Sequence, residues 1–553
     1  MRCLNRTYHF FASALVMLAL LASCEKMTEE KPDGTPEEAP EEQLEPIGED
    51  TTVYGYVTSG GEALEGVVVS DGEDVTLTDS RGRYSLNSLK TCGSVFVSLP
   101  SGYEAPAEGV LPKFFSRLSK PSRTAERVDF ELRKVDQSEY RMLVFGDMHL
   151  ARRSFCDDMG QFRTFAGEIN RFVKSSSVPV YALTLGDMTW DLYWSTNSFG
   201  LPEYKKEIQQ DFTGLEIFHT MGNHDNDPTV AGDAPAALKY EENLCPNHYS
   251  FNIGGVHYIV LDDILYKNDV IGTRDFWPQV SIQQTGWLKK DLQHVEKSTP
   301  VLVAMHDPLY KRDGAANISS FMDFIRCFEG FDHVQFLTGH MHVVYNVDML
   351  KKSIHIYESN CGAVCGAWWM TYSACKSGLH LCSDGAPGGY KILDISGKDI
   401  KWRYKGTGCQ DDFQFRTYDR NEICLSADKW VPHASRTDQQ AFVASAGEYA
   451  AKSSSNQVLI NVWDYDPSWT ITVKEDGRNL PVTQLKNKKD PLYLAVYEAY
   501  EYEHGYSVSY PGGQNDHTFS VTASAPGTSL EISVTDRFGR KYTQTMKRPQ
   551  PLL

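Results

Sequence analysis

The chain has no excess of basic residues. Its 54 Lys and Arg stand against 73 Asp and Glu, a formal net charge of −19. A surface of that sign repels a phosphate backbone, which excludes nucleic acid as a partner class. No cysteine pair has two-residue spacing with a matching second pair, so the 12 Cys support a structural zinc site only as the lesser reading. Beyond the first two dozen residues no apolar run reaches the roughly 18 residues that a membrane helix needs. The 42 Gly and 25 Pro are ordinary in number and show no collagen period. Disorder of the whole chain is excluded by what is present: 41% hydrophobic and 23% charged residues. A length of 553 residues predicts three or four domains at about 150 residues each.

The first 23 residues read as an address. Arg2 and Arg6 precede an apolar stretch, Phe10 to Leu21, too short to span a bilayer comfortably. Leu21-Ala22-Ser23-Cys24 resembles the lipobox of bacterial lipoproteins, in which the leader is cleaved and the cysteine lipidated; an ordinary signal peptide is the other reading. The expectation is an exported lipoprotein held to a membrane through Cys24, in the outer membrane of a Gram-negative bacterium. Residues 24–50 carry eleven acidic residues against two Lys, with several Pro and few large apolar groups. Such a segment cannot bury enough surface to order itself and reads as an extended tether. Without it, the remaining charge is that of an ordinary soluble surface. Export favours disulfides, so one or two bridges are expected among Cys361, Cys365, Cys375, Cys382, Cys409 and Cys424.

Residues 51–134 alternate short β-type runs with turns at Gly60-Gly61, Asp71-Gly72 and Arg81-Gly82, the pattern of a small β-sandwich. No acids, His or Cys in it have catalytic spacing, so it reads as a structural or spacer domain. From 138 to 360, apolar strands such as 141–145, 180–185, 257–263, 299–306 and 333–340 alternate with helix-type segments, which argues α/β architecture. Past 360 the helical pattern fades. A hairpin near 387–408 and several later strands predict a C-terminal β-rich domain over 361–553, its boundary lying between 360 and 405.

Five short blocks in the central region carry the chemistry: Gly146-Asp147-Met148-His149, Gly186-Asp187, Gly222-Asn223-His224-Asp225, Met305-His306-Asp307 and Gly339-His340-Met341-His342. Each closes an expected strand. Alternate residues of an extended segment share a face, so Asp147 with His149, and His340 with His342, can aim at one ion. Hard oxygens and imidazoles without a thiolate suit divalent metals. Asp187 can bridge two ions, and the Asn223 carbonyl can bind without adding charge. Two such ions would clamp a phosphoryl group.

This series resembles the calcineurin-like metallophosphoesterase superfamily. The flanking regions resemble the N- and C-terminal modules of an exported bacterial subfamily, the first being similar also to carboxypeptidase regulatory-like domains. The resemblance implies an α/β sandwich core flanked by two β-sandwich domains. It implies two divalent or trivalent ions (Mn, Fe or Zn). Asp147, His149 and His342 would bind one, Asn223, His306 and His340 the other, with Asp187 between. A metal-bridging hydroxide would attack phosphorus, His224 would protonate the leaving group, and Asp225 would orient His224. The second block departs from the pattern: Asp191 falls one position late, with Trp190 in its expected place, which puts its supporting role in doubt. Substrates would be phosphorylated small molecules, sugars or lipids, as mono- or diesters. A nucleotide or diphosphate-bond hydrolase is the alternative. A glycan- or partner-binding surface protein with a degenerate centre is the rival of a different class. Outside the blocks, His219 reads as a core residue, and His248, His257 and His333 as ordinary. Asp262 and Asp263 end a strand. Trp368 and Trp369 suit either a substrate pocket or packing between domains.

Overall fold

The strand Glu139–Phe145 starts the central domain. Its last four residues are buried, an apolar run that suits a strand covered on both faces. It pairs in parallel with Val180–Thr184, which pairs in parallel with Glu216–Phe218. The computed structural model describes residues 48, 50–370 and 380–553. The leader, Cys24, nearly all of the tether and Cys375 lie outside these. No helix among the described residues is long and apolar enough to cross a membrane.

The other edge of Glu139–Phe145 is closed, antiparallel, by Gly389–Ser396, with Asp399–Gly406 beyond it. The expected hairpin therefore forms, but as the last two strands of the central sheet. The core sheet runs to Gly406, past the range of 360–405 read from sequence, because its closing strands return from far along the chain. The second sheet runs in the order Tyr249–Ile253, Val256–Val260, Val301–Ala304, Val334–Thr338, Ile354–Cys361, Val344–Lys351. Its four inner strands are parallel.

The two sheets face each other. The Tyr140 hydroxyl meets the Tyr258 hydroxyl at 2.8 Å, and the rings of Phe218, Phe251 and Tyr258 stack in sequence at 3.9 and 4.9 Å. Helix Asp158–Ser175 covers the outside of the first sheet, Phe165 lying 5.2 Å from Phe145. Helix Phe321–Ile325 covers the second, Phe324 lying 5.9 Å from Phe336. This is the α/β sandwich expected from the sequence.

The N-terminal region forms two larger sheets, one around Val53–Ser59 and one in the order Phe115–Arg117, Ser94–Val97, Val68–Ser70, Val75–Leu77, with two short two-stranded ladders beside them. Its apolar side chains join the same buried cluster as the central domain. Phe96 meets Trp287 edge-on at 6.1 Å, and the Trp287 indole donates to Ser70 Oγ. The module is thus seated on the core rather than strung beside it.

The C-terminal region holds two four-stranded sheets, Phe415–Asp419/Gln457–Val462/Thr518–Thr522/Thr483–Leu485 and Arg478–Leu480/Thr470–Glu475/Leu530–Thr535/Lys541–Met546. Val458, Ile460, Val473, Phe519, Ile532 and Val534 share one buried cluster. Helices also occur here, against expectation. Arg436–Ala446 is capped by Ser435 and buries only Phe442 and Ala446, so its apolar stripe is too thin to read. The expected disulfides do not form among the described residues: Cys361, Cys365, Cys382, Cys409 and Cys424 are free thiols. The first three are buried, packed as small apolar side chains.

Candidate metal centre

All five blocks leave the carboxyl ends of parallel strands, where α/β folds gather ligand-binding loops. The backbone there is unusual. Asp147, His149, Asp187, His340 and His342 all have left-handed φ, between 45° and 64°. Each costs on the order of 1 kcal/mol or more and persists only where neighbours fix it. Those neighbours are visible. His149 N–H donates to Asp187 O at 2.9 Å, Gly339 N–H to His306 O at 2.9 Å, and His340 N–H to the Asp147 carboxylate at 3.0 Å. Gly186 and Gly222 lie back to back: a Cβ on Gly222 would meet Asp187 N at 2.3 Å.

The seven candidate ligands come together in two overlapping groups. In one, His342 Nε2 lies 3.0 Å from His149 Nε2 and 3.4 Å from Asp147 Oδ1. In the other, His306 Nε2 lies 3.0 Å from Asn223 Oδ1 and 3.1 Å from His340 Nδ1. Asp187 Oδ2 joins them, 3.4 Å from His149 Nε2 and 3.3 Å from His306 Nε2. His342 and His306 spend their Nδ1 atoms on the carbonyls of Gly366 and Leu185, at 2.7 Å each. That leaves Nε2 aimed inward on both, the usual arrangement of a ligating imidazole. Two ring nitrogens 3.0 Å apart share at most one proton. A buried set of convergent acceptors of this kind fits cations.

The field agrees. Burial opposes charge on Asp187, yet His306, His224 and His149 outweigh it and hold the carboxyl well below the usual range. Burial also opposes charge on His306, but Asp187 and Asp147 hold that imidazole well above its ordinary value.

The two catalytic candidates sit differently from expectation. His224 is 17% exposed, and one of its ring nitrogens lies within 4.8 Å of donor atoms of His149 and Asp187. Its Nδ1 meets Asp191 Oδ1 at 2.6 Å, not Asp225. Asp225 accepts from the backbone N–H of Gly222 at 3.0 Å, Thr189 at 3.2 Å and Met188 at 3.4 Å. It ties the Asp187 loop to the Asn223 loop, and the carboxylate in contact with the His224 ring is that of Asp191. Burial and the neighbouring Asp187 push the Asp225 carboxyl up to about 7, against the pull of those N–H groups.

Asp191 is in turn gripped by Arg274, through Nε to one oxygen and Nη2 to the other, the latter at 2.7 Å. Arg274 Nη2 also lies 2.9 Å from His224 Nδ1. Neither Arg274 nor Arg153 lies in any block, and the sequence carries no local signal for either. The fully buried Arg153 donates to the carbonyls of His149 at 3.3 Å and Trp368 at 3.0 Å. Asp263 does serve the site: its two oxygens accept the backbone N–H groups of His306 at 2.9 Å and Asp307 at 3.0 Å. His219 is a core residue bonded to the Tyr204 hydroxyl at 3.2 Å, and burial lowers it to about 3.

Histidines and carboxylates collected at the strand ends of a two-sheet α/β sandwich define a candidate metal-binding centre. The chain belongs to the calcineurin-like phosphoesterases. That domain model matches residues 140–344, the family's N-terminal module 51–135 and its C-terminal module 358–542. No curated protein matches the chain. Similar solved structures include Vps29 of Entamoeba histolytica in complex with zinc, with 12% identity, TM-score 0.21, and coverage of 48% of this chain and 98% of that one. Another is the sulfate thiohydrolase SoxB of Thermus thermophilus, with 11% identity, TM-score 0.29, and coverage of 48% of this chain and 56% of that one.

Proposed function

We propose that this protein hydrolyses phosphate esters at a two-metal centre. The observation that carries the reading is the position of Asp187 Oδ2, 3.4 Å from a ligand nitrogen of one group and 3.3 Å from a ligand nitrogen of the other. A carboxylate so placed would be shared between two ions if both seats were filled. Asp147, His149 and His342 would hold one ion, and Asn223, His306 and His340 the second. Ions in those seats supply Lewis acidity, drawing charge from phosphoryl oxygens and making water acidic near neutral pH. His224 presents its free ring nitrogen to the departing oxygen and delivers a proton there. Asp191 and Arg274 fix the opposite nitrogen, and so the ring's direction. Proton delivery of this kind contributes roughly 10²–10⁴-fold.

The complete ligand set favours an enzyme over a degenerate binding protein. Metal analysis of the purified chain, with p-nitrophenyl phosphate and bis-p-nitrophenyl phosphate assayed in added Mn²⁺, tests the reading. About two ions per chain and Mn²⁺-dependent release of p-nitrophenol from either ester are expected. A chain that binds no metal, or that binds two ions and cleaves neither ester, would refute it. Lipidation of Cys24 and an outer-membrane location are proposed from the leader alone. Radiolabelled palmitate should enter the wild-type chain and not Cys24→Ser.

A further inference from the structure

His342 is the base of a column of rings. Trp368 lies flat on it, 4.0 Å between centroids at 17°. Tyr510 lies flat on Trp368 at 3.2 Å and 19°. Tyr510 comes from the C-terminal region, which thereby reaches the mouth of the metal centre. Trp190 stands alongside, 6.4 Å from Trp368 and 5.7 Å from the His224 ring, with Tyr193 edge-on to it at 5.4 Å.

Packing alone does not account for three features. Trp368 is held at a φ of 52°, a strain of the kind that clusters at working sites. The Trp190 indole N–H is buried and has no hydrogen-bond partner among the described residues. Tyr510 keeps part of its surface open, and no hydrogen bond engages its hydroxyl among the described residues. Burial pushes that phenol up, and Arg153 and Arg274 are the cations close enough to pull it back. Apolar bodies with unpaired polar tips are what a binding wall for an organic group requires.

We propose that Tyr510, Trp368, Trp190 and Tyr193 form the subsite for the substrate's leaving group, and that this group is a ring with a flat apolar face. The inference rests on the phosphate-ester reading and names the ester's organic half. The parallel column ends at Tyr510, which is only partly buried. An acyclic leaving group would cover little of the surface these rings leave open.

Phosphonates test it, since they bind without being cleaved. Phenylphosphonate, cyclohexylphosphonate and methylphosphonate are titrated calorimetrically into the Mn²⁺-loaded protein. At least one cyclic ligand should bind about tenfold tighter than methylphosphonate, the scale of one stacked ring. The better of the two distinguishes an aromatic from a saturated ring. Tyr510→Ala should erase that margin while methylphosphonate affinity stays within about twofold, and Tyr510→Phe should keep it. Equal affinity for all three ligands overturns the proposal. So does a Tyr510→Ala protein that loses Mn²⁺ and all three ligands together, since the column would then only brace His342. A wild-type protein that discriminates among the phosphonates yet leaves both p-nitrophenyl phosphate and bis-p-nitrophenyl phosphate intact would sink the hydrolase reading and leave the subsite standing.

Discussion

Replacing Asp191 by Asn separates proton delivery from metal binding. The wild-type carboxylate is buried and accepts from both Arg274 nitrogens, with His224 Nδ1 2.6 Å from Oδ1. An amide has the same outline but only one acceptor. Its NH₂ must face either an Arg274 N–H or the imidazole nitrogen, so at least one charge-assisted bond is lost. Such a bond contributes about 1.5–3 kcal/mol. If that energy holds His224 in its working direction, kcat falls about ten- to hundredfold at 1.36 kcal/mol per decade. The loss should be full on phenyl phosphate, whose leaving group needs the proton, and small on p-nitrophenyl phosphate, whose leaving group does not. Bound metal, measured by mass spectrometry, should be unchanged. Asp225→Asn should do the opposite, because the amide would turn a donor toward the N–H groups of Gly222, Thr189 or Met188 and loosen two ligand loops. Metal content should fall, and both substrates should suffer alike. An Asp191→Asn enzyme with normal kcat on phenyl phosphate, or with lost metal, refutes the assignment.

Three further outcomes follow from the structure. Chelation with EDTA should lower Tm by a few degrees, since ions that bind only the folded state stabilise it by mass action; an unchanged melting curve would count against occupied sites. Lys391 and Asp464 form a fully buried pair at 2.8 Å, so Asp464→Ala should cost about 3–5 kcal/mol in urea unfolding, and the double replacement Lys391→Met with Asp464→Leu should recover most of it. A single variant as stable as wild type would show the pair to be expendable. Glu241, 3.5 Å from Arg117, is pushed up to about 7 by burial, with Arg117 pulling it back. The folded protein holds that proton more tightly than the unfolded chain does. Its contribution is therefore full below the ordinary glutamate value of 4.5 and is lost as pH rises through 7. Glu241→Gln should flatten the fall in stability across that window, by at most about 1.4 kcal/mol per pH unit; thermal melts with identical pH slopes would refute it.

The parts of the site that sequence reveals are those written locally. Gly-Asp-x-His, Gly-Asp, Gly-Asn-His and Gly-His-x-His each sit within four residues, close after an apolar strand, so spacing and strand order point to Asp147, His149, Asp187, Asn223, His340 and His342 as candidate ligands, whereas His306, in an isolated Met-His-Asp, takes its place in the set from the family resemblance. Asp191 was misjudged because spacing alone ignores the chain's turn. It opens the short 3₁₀ turn Asp191–Tyr193, and this brings a carboxylate one position late back under His224. Arg274 could not be nominated, since its partner lies 83 residues earlier and no periodicity links them. The pairing of Gly389–Ser396 with Glu139–Phe145 is invisible for the same reason. The cysteines misled because export was taken to favour bridges, whereas burial suits reduced thiols equally well.

The late return of that closing strand has a consequence for biosynthesis. Ser396 pairs with Glu139, so the polymerising chain leaves one edge of the strand Glu139–Phe145, apolar over its last four residues, unpaired until some 250 more residues are made. At 5–20 residues per second that interval is roughly 13–50 s. An uncapped edge of this kind recruits other strands. The nascent protein should therefore depend on holding chaperones, and any version cut before residue 389 should aggregate rather than fold, however complete its ligand blocks.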